Sequence, residues 1–261
     1  MKFNKKNIII GKNVIIGENV KIGDNTIIYD NVVIGDNTIV SNNCVLGEPT
    51  ANYYINKNYI NELLIIGKNS LIRSHTIIYA GSKLGDFLET GHRVTIREKT
   101  ICGNYCMFGS YVDIQGYCKI GNYSRFHSYV NIGQYSNIGD YVFIYPFVVL
   151  TNDPTPPSND LVGVYIDDYS QITTASILLP GTHIGKFCLV AANSVVGGKF
   201  EDDSFIAGNP AKFIGKLSKM PFFNKNGKRH YPWPYNFDRG MPWQGIGYDK
   251  WLKKNNKNKN I

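Results

Sequence analysis

The side chains best suited to chemistry are few. The 261-residue chain holds five histidines, and imidazole is the one side chain whose ordinary pKa puts its charge change between pH 5 and 8. His127 stands in Arg125-Phe126-His127-Ser128 and His92 in Thr90-Gly91-His92-Arg93, both beside departures from the surrounding pattern. His75 and His183 fall in ordinary turns, and His230 lies in an aromatic C-terminal segment. The candidate carboxylate is Asp153, in Asn152-Asp153-Pro154, where a Pro-rich stretch opens. Asn-Asp-Pro is also an ordinary turn sequence. A histidine can accept a proton from a nucleophile, and an Asp can hold an amine through a charge-assisted hydrogen bond. These groups must be positioned by the elements around them, and a repeat dictates those.

Ile10, Ile16, Ile22, Ile28, Ile34, Val40 and Leu46 are spaced by six residues. The register restarts at Ile66 and runs unbroken to Leu150, with Thr90, Cys102, Phe108 and Phe126 in the aliphatic place. A third block runs from Ile166 to Val196. Of 28 such sites, 24 are Ile, Val or Leu. In the first block Gly often follows the aliphatic residue and Asn stands three after it, at Asn13, Asn19, Asn25, Asn31, Asn37 and Asn43. Gly and Asn tolerate the left-handed backbone that a sharp corner needs. A period of six fits neither an amphipathic helix nor a simple alternating strand; it fits a parallel β-coil with three short strands per turn.

All five cysteines fall on inward places of that register: Cys102 on an aliphatic site, and Cys44, Cys106, Cys118 and Cys188 four residues after one. With no Cys-x-x-Cys, they read as small core fillers rather than disulfide or metal ligands.

The formal charge of +8 does not point to nucleic acid, because seven lysines near the two ends carry most of it (Lys2, Lys5, Lys6, Lys253, Lys254, Lys257 and Lys259). Such ends read as solvated, with a disordered Lys/Asn tail. No apolar run approaches the ~18 residues of a membrane span, and the polar start has no signal-peptide core, so the expected location is cytoplasmic.

The repeat breaks in three places: residues 48–64, residues 151–165 (TNDPTPPSNDLVGVY), and everything after about Leu217. The expected organisation is a β-helix domain over 1–216 and a C-terminal extension or cap over 217–261. The extension holds all three tryptophans, Trp233, Trp243 and Trp251. It is expected to pack over the coil end or wrap a neighbouring subunit, since its aromatics would be costly to leave in water.

This pattern resembles the hexapeptide-repeat acyltransferases, whose members form left-handed parallel β-helices. The resemblance implies an all-β fold of about nine coils, 28 sites at three per coil. Segments 90–100 (TGHRVTIREKT), 113–133 and 148–158, with GNPAK at 208–212, are similar to the dTDP-3-amino-3,6-dideoxyhexose N-acetyltransferases. These serve bacterial surface polysaccharides, including the O-antigen of lipopolysaccharide. The resemblance implies a homotrimer using acetyl-CoA as co-substrate, with no metal, nucleic acid or membrane partner. It places His127 at the sugar cleft, with His92, Arg93, Tyr117 and Arg125 as substrate contacts. It gives Asn152 and Asp153 to the sugar amine and its neighbouring hydroxyl, the backbone around Ala175 and Ala192 to the pantetheine arm, and Lys212 to the coenzyme phosphates. Close relatives would carry His where this chain has Tyr117, which weakens any mechanism needing two histidines.

The implied reaction is attack of a sugar amine on the acetyl thioester. An amine of pKa ~8 is already partly neutral near pH 7 to 8. Asp153 then serves mainly to orient it, and His127 is the candidate base. Four readings stand beside this one: an N-acetyltransferase of a UDP-4-amino sugar, a sugar O-acetyltransferase, a γ-class carbonic anhydrase, which needs three zinc-binding histidines, and a structural solenoid.

Overall fold

A computed structural model describes residues 6–257. Three long sheets, built of strands mostly two or three residues long, wrap one core. The first face runs from Ile9–Ile10 to Val195–Val196, the second from Ile15–Ile16 to Lys199–Phe200, and the third from Lys21–Ile22 to Ser204–Gly208. Each strand pairs in parallel with the strand one coil on, as in Ile114↔Ile132 and Phe126↔Ile144. The result is a parallel β-helix of triangular section.

Two insertions leave this register intact. Across the first, the coil-to-coil offset grows from 18 to 32 residues (Ile34↔Ile66); across the second it grows to 28 (Ile138↔Ile166). Both insertions leave the same corner, between the first and second faces, so the stack of faces never changes. In the first, Asn61 is buried and donates to the Gly47 carbonyl (2.7 Å) and the Asp30 carbonyl (3.1 Å). Those bonds hold the loop root while Ile55 and Ile60 stay about four-fifths exposed.

The stack is slightly taller than the repeat alone implies. Each of the three faces carries ten parallel strands rather than nine. Phe200 and Ile206 continue the inward series after the six-residue spacing has lapsed. At ~4.8 Å per coil the prism is roughly 48 Å long. A hairpin, Ser204–Gly208 with Ala211–Lys216, then turns antiparallel and stops it.

The inward residues form one continuous core from Ile28 to Ile206. The five cysteines lie in it, free and buried. Burial pushes the thiols of Cys44, Cys118 and Cys188 up to about 11, so they stay protonated and inert. Buried hydroxyls bond across the corners: Ser136 Oγ donates to the Gly133 carbonyl and Ser170 Oγ to the Gly185 carbonyl. Among the described residues no buried side-chain nitrogen or oxygen lacks a partner.

The corner residue three places after each inward aliphatic has positive φ almost throughout, from Asn7 to Asn193. In the lower coils it is mostly Asn, and the amides form ladders such as Asn7 Nδ2 to Asn25 Oδ1 and Asn25 Nδ2 to Asn43 Oδ1. In the upper coils it is mostly Tyr or Phe, although a left-handed residue with a Cβ costs about 1–2 kcal/mol. Those rings stack on one another. One ladder runs Phe87, Tyr105, Tyr123, Tyr141, Tyr169, Phe187 with centroids 4.4–5.3 Å apart; a second runs Tyr111, Tyr129, Phe147. Each stacked pair is worth about 0.5–1.5 kcal/mol, which offsets the backbone strain.

The C-terminal extension departs from one of its two expected placements, that over the coil end. The hairpin, not the extension, closes the coil end. The extension runs back along the third face as a strap. There Trp233 meets Phe143 edge-on at 4.9 Å, and Trp243, fully buried, packs on Tyr141 at 5.3 Å. Trp233 Nε1 donates to the Tyr169 carbonyl and Trp243 Nε1 to the Phe237 carbonyl. The reason lies in the outward residues of this face: Phe143, Gln171 and Leu189 are buried, where the second face presents Lys83, Lys119 and Lys199 to water. The strap ends in a helix, Tyr248–Lys257, whose Tyr248 and Trp251 pack on Trp243. Lys253 and Lys254, expected in a disordered tail, therefore lie on a helix. Lys2, Lys5 and Lys259 lie outside the described residues.

Candidate functional site

The third face carries a groove of about 520 Å³. Its floor is made by outward strand residues Glu89, Met107, Arg125 and Phe143 and by the next residue after each inward one, Arg73, Gly91, Gly109, His127 and Tyr145. Those successive residues rise one coil at a time, so the 18-residue period alone aligns them. Gly91 and Gly109 keep the middle of the row bare. Phe237 and Arg239 of the strap form the far wall.

His127 lies flat against Tyr145, with ring centroids 4.8 Å apart and planes within 12°. Among the described residues neither ring nitrogen makes a hydrogen bond, so both are available to a ligand. Desolvation by the groove residues around it, and then the charge of Arg125, hold the pKa of this exposed ring below the usual histidine value. The neutral ring, able to accept a proton, is therefore the dominant form at neutral pH.

Arg125 is sandwiched between Phe143 and Phe237, its guanidinium carbon 5.5 and 5.6 Å from the two ring centroids. Its Nη2 donates to the Arg239 main-chain carbonyl at 2.7 Å, fastening the strap to the coil. Desolvation and the neighbouring Arg239 lower its pKa, though a guanidinium stays charged at any ordinary pH. Arg73 pairs with Glu89 at 2.6 Å.

A second hollow of about 350 Å³ adjoins this one through Arg73 and contains His92. Ser74 Oγ lies 3.1 Å from His92 Nδ1. Arg93 is exposed at the corner, with φ +57°. Farther up the same corner are Ala175, whose N–H donates to the Pro146 carbonyl, and exposed Ala192. His92, Arg93, Arg125, His127, Ala175 and Ala192 thus share the third face and the corner that joins it to the first.

The other expected residues lie elsewhere. Asn152 and Asp153 open the second insertion, and Tyr117 lies on that same corner, between the first and second faces, against Tyr135 at 5.4 Å. The first face separates them from His127, as the hexad count anticipates. Asp153 is engaged within its own loop: Oδ1 accepts from Ser158 Oγ (2.8 Å) and the Thr155 N–H (3.1 Å), and Oδ2 from the Ser158 N–H (2.9 Å). These bonds hold its carboxyl below the usual range, so it is ionised at neutral pH. Lys212 is exposed on the terminal hairpin, paired in register with Ala207.

Arg73, Glu89, Tyr145, Phe237 and Arg239 were not singled out from the sequence. The first three recur at 18-residue offsets from residues that were. The two strap residues carry no local signal at all.

Among the described residues no group of three or more His, Cys, Asp or Glu is placed to hold a metal ion. No helix among them is long and apolar enough to cross a membrane.

Fold and repeat together define a hexapeptide-repeat β-helix with a strapped groove on one face. A UDP-N-acetylglucosamine acyltransferase from Arabidopsis shares the fold, with a TM-score of 0.67 at 16% identity, covering 82% of this chain and 74% of that one. A second match, LpxA from Acinetobacter baumannii, superposes at 0.36 with 22% identity over 80% and 70% of the two chains. A third, perosamine N-acetyltransferase from Caulobacter crescentus, superposes at 0.30 with 15% identity over 54% and 56%. Overlaps that loose carry no argument. The family model of the GMPPB C-terminal domain matches residues 4–114, less than half of the chain. The Arabidopsis likeness is one of fold alone, and the chemistry rests on the groove.

Proposed function

We propose that the chain is an acetyl-CoA-dependent N-acetyltransferase acting on the 3-amino group of a dTDP-linked 3-amino-3,6-dideoxyhexose. The observation that carries the reading is His127: an imidazole with both nitrogens unbonded, stacked on Tyr145 along the groove, where desolvation and Arg125 hold its pKa below the usual value. The acceptor amine, of pKa ~8, attacks the thioester carbonyl in its neutral form. A C–N bond forms and the C–S bond breaks; coenzyme A leaves as the thiol. The proton lost by nitrogen passes to His127, which hands it on to the departing sulfur and is neutral again. A weakly basic histidine suffices because the attacking nitrogen becomes strongly acidic once it has bonded to carbon.

Asp153 and Asn152 meet that amine across a subunit boundary of a homotrimer. The first face supports such an assembly, because its outward residues Ile27, Val45, Ile77, Val149 and Val195 are only half-buried in the single chain. Packing that face against a neighbour would bring one chain's second insertion towards the next chain's His127. Ala175 and Ala192 would then border the pantetheine arm.

The test is thiol release from acetyl-CoA with three acceptors: the dTDP-linked 3-amino-3,6-dideoxy-glucose and -galactose, and a UDP-4-amino sugar. Turnover confined to a dTDP-3-amino sugar is expected. Turnover on the UDP sugar alone would replace the substrate, and release with a hydroxyl acceptor only would replace the reaction.

A further inference from the structure

The groove has an excess of positive charge that the proposed reaction does not use. Arg73, Arg125 and Arg239 all line it, against one carboxylate, Glu89, which Arg73 already pairs. Among the described residues neither Arg125 nor Arg239 has a carboxylate within ion-pair distance. Arg125 feels the charge of Arg239, and both guanidinium carbons lie against the Phe237 ring, at 5.6 and 5.8 Å. Two like charges gathered around one aromatic ring, one of them partly desolvated, lack only an anion. Guanidinium forks match phosphate oxygens bidentately.

We infer that the strap is a working part of the binding site: Arg125 and Arg239 grip the diphosphate of the acceptor sugar nucleotide, with Phe237 setting the spacing between them. This rests on the N-acetyltransferase reading of the same groove. The two unpaired charges match the two negative charges of a nucleoside diphosphate bridge. Arg125 comes from the coil and Arg239 from residues far along the chain, so the grip forms only when the strap is docked. Coenzyme A also carries a diphosphate, so the binding of each must be measured.

Arg239→Gln is the informative variant. Arg125 is fastened by the main-chain carbonyl of residue 239, so the substitution deletes the charge and leaves the strap's anchor in place. Calorimetric titration of the full chain with dTDP, UDP and coenzyme A needs no turnover, so it stays readable even if the acyl-transfer reading fails. A charge-assisted contact of this kind predicts about 10- to 100-fold weaker dTDP binding, a shallower salt dependence, unchanged coenzyme A affinity and an unchanged Tm. Phe237→Leu should weaken dTDP less, with the same selectivity. The inference is overturned if Arg239→Gln binds dTDP as the wild type does, if only coenzyme A is weakened, or if the wild type binds neither dTDP nor UDP at millimolar concentration.

Discussion

The lower and upper coils share one backbone and differ in what stands on their corners. From Asn7 to Asn69 the left-handed corner is mostly asparagine, and the side chains bond up and down the stack. From Phe87 to Phe187 it is mostly aromatic, at equal φ values and greater local cost. Asparagine satisfies the corner and bonds to the next asparagine along the stack, but it presents no apolar surface. The aromatic corners give Trp243 and Tyr248 a surface to dock on, the docked strap walls the groove, and the groove collects His127, Arg125 and Arg239. The extra strain of the upper coils therefore sits where the molecule has a site to build.

The strongest way to break this contrast is to undock the strap. Trp243→Ala removes a fully buried indole and should cost about 3–5 kcal/mol, confined to the strap. Hydrogen exchange should accelerate over 231–252 while the coil amides keep their protection; a global loss of protection would mean that the upper coils depend on the strap for their own fold.

Next come the groove and its partner loop. Asp153→Ala should lower kcat/KM by about 10²- to 10³-fold, through lost orientation and charge. His127→Ala should cost about 10²-fold. The wild-type acid limb adds a sign test. kcat/KM should first fall below pH ~8, where the acceptor amine protonates; His127 is held below the usual histidine pKa, so its own limb should follow only below pH 6.5, as pH drops through the depressed value. Stability follows the same direction: the unfolded chain binds that proton first, so this contribution is present above 6.5 and is lost as pH falls. A second acid limb above 6.5, one that the His127→Ala variant lacks, would contradict the desolvation of His127 in the groove and its repulsion by Arg125.

The smallest effects sharpen the corner comparison itself. Asn37→Gly should change stability by no more than about 0.5 kcal/mol, because glycine adopts the left-handed corner freely and the only ladder bond it gives up, from Asn19 Nδ2 at 3.3 Å, is exposed and long. Tyr129→Gly gains the same freedom but loses stacking on Tyr111 and Phe147, for a net loss of about 1 kcal/mol. Equal urea midpoints for the two variants would show that the ladders contribute nothing.

Much of this architecture was legible in the chain. Inward residues recur every six, so the faces, the buried cysteines and both insertions could be read directly. Leu150 and Phe126 could be assigned to different faces by counting, and the structure agrees. The count fell one coil short because Phe200 and Ile206 reach the core after the spacing has changed. The groove was half legible. His127 and Arg125 stood out beside irregular positions, but Arg73 and Glu89 look like ordinary surface residues until coils are stacked. Phe237 and Arg239 reach the groove through tertiary packing of aromatic side chains, and no local period announces that.

The most direct test of the account compares wild type with Trp243→Ala in the thiol-release assay, using acetyl-CoA and the preferred dTDP-3-amino sugar, with the coil's integrity checked by hydrogen exchange. The predicted result is an intact coil that has lost at least about 10²-fold in kcat/KM, the scale of lost substrate positioning. A variant with an undocked strap, an intact coil and wild-type turnover would show that the strapped groove is not the acceptor site.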